Sequence, residues 1–544
     1  MSEAFHRPSK LSISVFGALA LLGASLVIPG CGGESDSAGT VAGVQSQAAG
    51  PLDVIKTVVV IYAENRSFDN IYGLFPGANG IANALKDPSL YQQVDRDGVT
   101  VLPSLPAVWT AAPGAQATAW SFVKGLPNKP FQIDGPPGGA PTGQNVTSPD
   151  LVHRFYNNQM QINGGKNNMY AAWSDAGGLT MGYYDGSMMA MWPIARQYTL
   201  ADNFFMGAFG GSFLNHFWLV CACTPAFNNA PTSRISQVDL AKTPPQLTLA
   251  ATNPPSALNG KPVFAADLNV TPKLADGNFY AINTTQPPYQ PSGTAPAPGG
   301  DSRIANPAAT GGAATLTVDS TKVKTIGDTL TAKGVDWKWY AGAWNAAVAD
   351  GANQVRTVIY NNTVPNFQAH HQPFNYFTRF DPTTAAGAAE RAAHLKDYTD
   401  MLADIDAGTL PPVSFYKPQG NLNQHPGYTD VMDGDAHIAE LVAKLQASPQ
   451  WQHMLIVVTY DENGGFFDHV APPIGDQWGP GTRIPAIIIS PFAKKGFVDS
   501  TPYDTTSILK FITRRFRLEA LPGFASRPEI SDLSNSLDVG PTQK

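Results

Sequence analysis

Two apolar, β-branched runs in this chain end in the same way. The first, VVVIYAENRSFDN, places Glu64 and Asn65 just past its last apolar residues, and the second, LIVVTYDENGGFFDHV, places Asp461 and Glu462 there. Short runs without polar alternation are the signature of strands buried on both faces of a parallel sheet. The predicted strands are Lys56–Tyr62 and Met454–Tyr460, with Pro485–Ser490 a third and Val335–Tyr340 and Val413–Tyr416 two weaker ones. Ligands of open parallel sheets bind beyond the carboxyl ends of the strands. Either acidic strand end alone is explained by a helix cap or by water. Two of them in one crevice repel unless a cation lies between, and carboxylates with an Asn carbonyl suit a hard or borderline divalent ion.

Between the strands lie helical patterns. In Asp435–Ser448 the apolar residues Ile438, Leu441, Val442 and Leu445 share one face. Asp504–Phe516 opens on the cap-like Asp504-Thr505-Thr506, and Thr325–Lys333 stops at Gly334. Helices alternating with buried strands predict an α/β fold, a doubly wound and mostly parallel sheet flanked by helices. The expected domain covers 51–225 and 316–525. It is interrupted by a Pro-, Ala- and Gly-rich insertion at 226–315 that reads as loops or a small β-rich subdomain, and a tail follows at 526–544. Lys and Arg number 35 against 42 Asp and Glu, a net charge of −7 without a basic stripe, which argues against a nucleic-acid partner.

Arg7 and Lys10 precede a mostly apolar stretch, Leu11 to Ile28, and Cys31 follows a small residue. Residues 1–31 therefore read as an export signal with a lipobox, and 32–50 as a flexible tether. The expected location is the periplasm, the outer membrane or the medium, with membrane contact only through a lipid on Cys31. The other cysteines, Cys221 and Cys223, are expected as buried thiols, because one intervening residue closes only a small ring.

Gly210-Gly211-Ser212 precedes an apolar-rich run, Phe213-Leu214-Asn215-His216 and onward. A serine there sits at a helix N-terminus, where free N–H groups favour an alkoxide or a phosphoryl oxygen; plain N-capping is the commoner role. His153, His216, the pair His370-His371, His425 and His469 lie in settings suited to binding an anion and protonating a leaving oxygen. His6, His394, His437 and His453 do not.

The combination of ENRSFDN, GGSFLNH, HPG and YDENGGFFDHVAPP resembles the bacterial phosphoesterase family that joins acid phosphatases with phospholipases C, related to the alkaline-phosphatase superfamily. The resemblance runs over about 54–225 and 360–520. It implies one divalent metal ion held by Glu64, Asn65, Asp461 and Glu462, with Ser212 as nucleophile and further ligand. It also implies His153, His371 and His425 around the phosphoryl group, with His370 open as the alternative to His371. His216 and Asp430 are weaker carry-overs, and His469 a further substrate-binding candidate. Ser212 is followed by Phe-Leu-Asn-His, where the phospholipase C branch has Thr followed by Pro-Asn-Arg. That departure, and the lack of added C-terminal domains, point to small phosphate monoesters, with a phospholipid head group as the alternative substrate. The remote alternative is a surface lipoprotein that binds phosphate esters without turnover.

Overall fold

The computed structural model describes residues 50–110, 117–135 and 143–540. The expected signal and lipobox at 1–31, including Cys31, and most of the tether at 32–50 lie outside the described residues. The centre of the fold is a nine-stranded sheet: β1 (Thr57–Ala63), β2 (Thr199–Phe205), β3 (Trp337–Ala341), β4 (Leu395–Asp397), β5 (Val413–Lys417), β6 (Met454–Tyr460), β7 (Arg483–Ile489), β8 (Phe497–Asp499) and β9 (Tyr503–Asp504). Their order is β8-β2-β7-β6-β1-β5-β3-β4, with β9 also paired to β2. All pairings are parallel except the two made by β7, which runs antiparallel to β6 and to β2.

All seven residues of β1, of β6 and of β7 are buried, which is why these segments carry no polar alternation. β7 reads like the parallel strands of the sheet because burial on both faces sets its composition, whereas strand direction is set by the connection that precedes it. β2, with the sequence TLADNFF, was not foreseen; Asp202 and Asn203 break its apolar run.

The helices named here are α1 (Phe68–Tyr72), α2 (Phe155–Ile162), α3 (Ser212–Val220), α4 (Ile326–Ala332), α5 (Val431–Ala447) and α6 (Thr505–Phe516). α4 has the predicted start and stop: Thr325 and Asp328 form a capping box, and Gly334 takes φ +70°. Asp504 caps α6 by accepting from Thr506 N at 2.7 Å. The regular structure of residues 226–315 is a two-residue antiparallel ladder, Val238–Asp239 with Gln246–Leu247, two short 3-10 helices, Thr232–Arg234 and Gly311–Ala313, and isolated bridges. The described residues of the tail, 526–540, include a buried Arg527 that pairs with Asp504 at 2.8 Å and Asp476 at 3.1 Å.

One expectation fails at the end of α3. Cys221 and Cys223 form a disulfide rather than standing as buried thiols. The helix stops at Val220 and Ala222 takes φ +49°, so the chain turns tightly enough to bring the two sulfurs together.

Candidate active site

β1, β5 and β6 are adjacent and parallel, so their carboxyl ends open on one side of the sheet. Glu64 follows the end of β1, Asp461 and Glu462 follow β6, and Lys417 is the last residue of β5. All four are fully buried. Lys417 Nζ lies 3.0 Å from Glu64 Oε1 and 3.4 Å from Asp461 Oδ2, and donates to the carbonyl of Ala63 at 3.3 Å. Glu64 Oε2 accepts from Asn423 Nδ2 at 2.9 Å and Tyr428 OH at 3.3 Å. Asp461 Oδ1 accepts from the backbone N–H groups of Asn65, at 3.2 Å, and Glu462, at 2.8 Å.

The turns after β1 and β6 are fitted to each other. Arg66 N donates to the Glu462 carbonyl at 3.1 Å. Gly464, at φ +60°, approaches so closely that a Cβ there would lie 2.4 Å from the Asn65 carbonyl oxygen.

Ser212 opens α3. Gly211 is the N-cap and makes no side-chain capping bond, so the serine hydroxyl is not spent as a cap. It donates to Glu462 Oε1 at 3.4 Å. The two preceding glycines have a packing reason as well as a conformational one. A Cβ on Gly210, at φ +88°, would lie 2.5 Å from Phe155 N, and one on Gly211 would lie 2.8 Å from the His153 carbonyl oxygen. They let the His153–Phe155 backbone run against the serine turn.

Ser212 faces a cleft of about 270 Å³ lined also by His153, Arg154, His370, His425, Tyr428 and two residues of the insertion, Asn283 and Thr284. A larger cavity of about 440 Å³ lies elsewhere, among residues such as Phe227, Pro288 and Thr383, and holds none of these groups.

His153 Nε2 lies 3.5 Å from Glu462 Oε1 and its Nδ1 lies 3.5 Å from Asp150 Oδ1. Burial opposes its charge, but Glu462 and Asp150 outweigh burial and raise its pKa to about 9. Burial pushes the carboxyl of Glu462 well above the usual range, and Asp461 and Glu64 add to this. Glu64 behaves oppositely: despite burial, His371 and Lys417 hold it well below that range.

Of the paired histidines, His370 lines the cleft and donates or accepts through Nδ1 to Tyr360 OH at 2.9 Å. His371 lies behind it, in direct contact with Glu64 and stacked on His216 at 5.2 Å. His216 is buried, with Nδ1 on the Ser212 carbonyl at 2.7 Å, so it supports the serine turn from within the core. Two proposed substrate contacts stand in other roles. Asp430 is the N-cap of α5, accepting from Asp433 N at 2.9 Å. His469 uses both ring nitrogens, on Asp69 Oδ2 at 2.7 Å and Asn79 Oδ1 at 3.1 Å, in an ion network with Asp468 and Arg483. Sequence reasoning missed Lys417, Asn423, Tyr428 and the insertion's two cleft residues. The charge closing the buried run VSFYK was the one available signal.

With this geometry in hand, the family model for the phosphoesterase family matches residues 55–519, nearly the whole described chain. The chain belongs to the phosphoesterase family. This phosphoesterase is 24% identical to phospholipase C B of Mycobacterium tuberculosis (strain H37Rv) over 86% of its own length and 74% of that relative's. It is 28% identical to the non-hemolytic phospholipase C of Burkholderia pseudomallei over 35% of its length, and it spans about a third (32%) of that relative. It is 33% identical to non-specific phospholipase C6 of Arabidopsis thaliana over 22% of its length and 28% of that relative's. Among solved structures it is similar to the PsFucS1 sulfatase of a Pseudoalteromonas species, with a TM-score of 0.29, 12% identity, and 65% and 67% of the two chains covered. An alkaline-phosphatase-superfamily protein of Vibrio parahaemolyticus gives a TM-score of 0.29 and 9% identity over 74% and 75%. No helix among the described residues is long and apolar enough to cross a membrane.

The donor set fits a cation. Both polar atoms of the Asn65 side chain are buried and unpartnered, beside three carboxylates, in a residue held at φ +62°. Leaving a buried polar group unpaired costs about 1–3 kcal/mol, and an ion on the carbonyl oxygen would relieve the share of that atom. Glu64, Asn65, Asp461, Glu462 and Ser212 Oγ are the residues that would hold it.

Proposed function

We propose that this chain hydrolyses phosphate esters, small monoesters foremost, through a covalent phosphoserine on Ser212. The observation that carries the reading is the uncapped Ser212 hydroxyl at the start of α3, bonded to Glu462 and facing a polar cleft. In the first step Ser212 Oγ attacks phosphorus, its proton passes to Glu462, and the bond to the leaving alcohol breaks. His425, whose Nδ1 is engaged by the carbonyl of Pro426, has Nε2 available to protonate the leaving oxygen. His153, held cationic between Glu462 and Asp150, faces the phosphoryl oxygens, and the first-turn N–H groups of α3 add donors. Water then attacks the phosphoserine and gives a proton to His425, the bond to Ser212 breaks as Ser212 Oγ recovers its proton from Glu462, and phosphate leaves. A bound divalent cation would supply Lewis-acid stabilisation of the charge on serine and phosphoryl oxygens, worth several kcal/mol.

Hydrolysis of a phospholipid head group is the second reading, favoured by the relatives named phospholipase C. Side-by-side assays with p-nitrophenyl phosphate and phosphatidylcholine separate the two. Ser212→Ala is expected to lower hydrolysis of the better substrate by at least about a thousandfold while a phosphate analogue still binds. Retained hydrolysis in Ser212→Ala ends the proposal, and a wild type that binds the phosphate analogue but hydrolyses neither ester favours the binding-protein alternative. We further propose export with a lipid on Cys31; palmitate labelling of the wild type, absent in Cys31→Ser, checks it.

A further inference from the structure

We infer that Lys417 is a fixed internal counter-charge that limits the site to one divalent cation and helps it hold an anionic phosphate. The side chain comes off the end of β5, between the ends of β1 and β6, and is fully buried. Its three N–H donors meet three acceptors: Glu64 Oε1 at 3.0 Å, Ala63 O at 3.3 Å and Asp461 Oδ2 at 3.4 Å. The ammonium also lies 5.3 Å from the centre of the Tyr62 ring.

The charges set the stoichiometry. Ionised, as ligands of a cation are, Glu64, Asp461 and Glu462 bring three negative charges, and Lys417 returns one, leaving two for an ion to neutralise. Asp150 and His153 face each other at 3.5 Å as groups of opposite charge type and stand outside this count. A buried site tolerates little uncompensated charge, so one dication completes it. Without Lys417 the three carboxylates would hold a dication more tightly, and the metal-loaded site would carry a negative charge against phosphate. Lys417 touches the ligands rather than the reacting atoms, so its role is positioning and charge-setting. Its sequence signal, a lysine closing the buried strand VSFYK, has no solvation purpose at full burial.

The inference rests on the reading of this cluster as a metal site. The test is calorimetry on chelator-treated full-length protein, titrated first with MnCl₂ and then, loaded, with inorganic phosphate. In Lys417→Met, Mn²⁺ should bind at least about tenfold more tightly and phosphate at least about tenfold more weakly, since removing one positive charge acts oppositely on cation and anion. In Lys417→Arg both affinities should stay within about threefold of wild type. A merely structural lysine would weaken both ligands together in Lys417→Met; that result, or no change, overturns the inference. If Lys417→Met does not fold, Lys417→Arg decides: shifts beyond threefold in both affinities overturn it, and retention sustains it. Absence of Mn²⁺ binding by the wild type would instead remove the metal-site reading itself.

Discussion

The segments after β1 and β6 meet twice, and the two meetings differ in charge balance. Near the strand ends Glu64 and Asp461 share one lysine, and Glu462 lies against His153. Farther along the same segments, Asp69 and Asp468 meet Arg483 and His469: Arg483 Nη2 lies 3.0 Å from Asp69 and its Nε 2.9 Å from Asp468, while His469 Nδ1 lies 2.7 Å from Asp69. In the second cluster each carboxylate has its own cation and the arginine fork spends further donors on the carbonyls of Asn79 and Asp202, both at 2.8 Å. That cluster is a complete staple. The first sets three buried carboxylates against Lys417 and His153 alone, a balance that suits the cation proposed above. Acidic residues in one pair of motifs thus serve two purposes, separated by what faces them.

The sharpest way to break this contrast is to delete one partner from each cluster. Arg483→Leu leaves Asp468 buried without its cation and Asp69 with His469 alone, and unfolding in urea should show a loss of about 3–5 kcal/mol. Glu462→Gln in chelated protein relieves crowding instead, and its stability should fall by less than about 1 kcal/mol or rise. Equal losses would mean that the first cluster is as complete as the second.

A smaller effect is expected where the turns touch. Gly464→Ala puts a Cβ against the Asn65 carbonyl at a left-handed φ, costing about 2 kcal/mol. Mn²⁺ affinity should fall with it, because Asn65 is displaced; a variant that loses stability but binds Mn²⁺ as wild type would remove Asn65 from the donor set.

The least effect concerns pH. The His153 pKa is raised from 6.5 to about 9, so its pairing stabilises the fold fully below pH 6.5, and that contribution is lost as pH rises towards 9. In chelated protein, His153→Gln should therefore flatten the decline of stability between those values. An unchanged slope would show that Glu462 and Asp150 do not hold its proton.

Much of the framework was readable residue by residue. Met454–Tyr460 announces a doubly buried strand by its composition, and Thr325, Asp328 and Gly334 mark both ends of α4. The direction of β7 was not readable, because Ile484 to Ile489 would look the same in either orientation. His469 looked like a ligand from its neighbours in sequence, yet its ring is spent on Asp69 and Asn79. Lys417 went unnoticed because nothing adjacent to it is acidic, and the carbonyl it reaches is 354 positions away. The insertion gave no sign that Asn283 and Thr284 would wall the cleft.

By itself, then, the chain's order of residues determined five of the nine strands, the start of α6 and the end of α4, and which acids and hydroxyl stand at strand and helix ends, since these depend on local periodicity and on backbone groups a few positions away. Which carboxylates share a cation, which histidine faces the cleft and which lies behind it, and whether two cysteines join were decided only in the folded molecule. Those outcomes depend on distances between segments far apart in the chain, and such distances exist only once the buried sheet has brought the strand ends together.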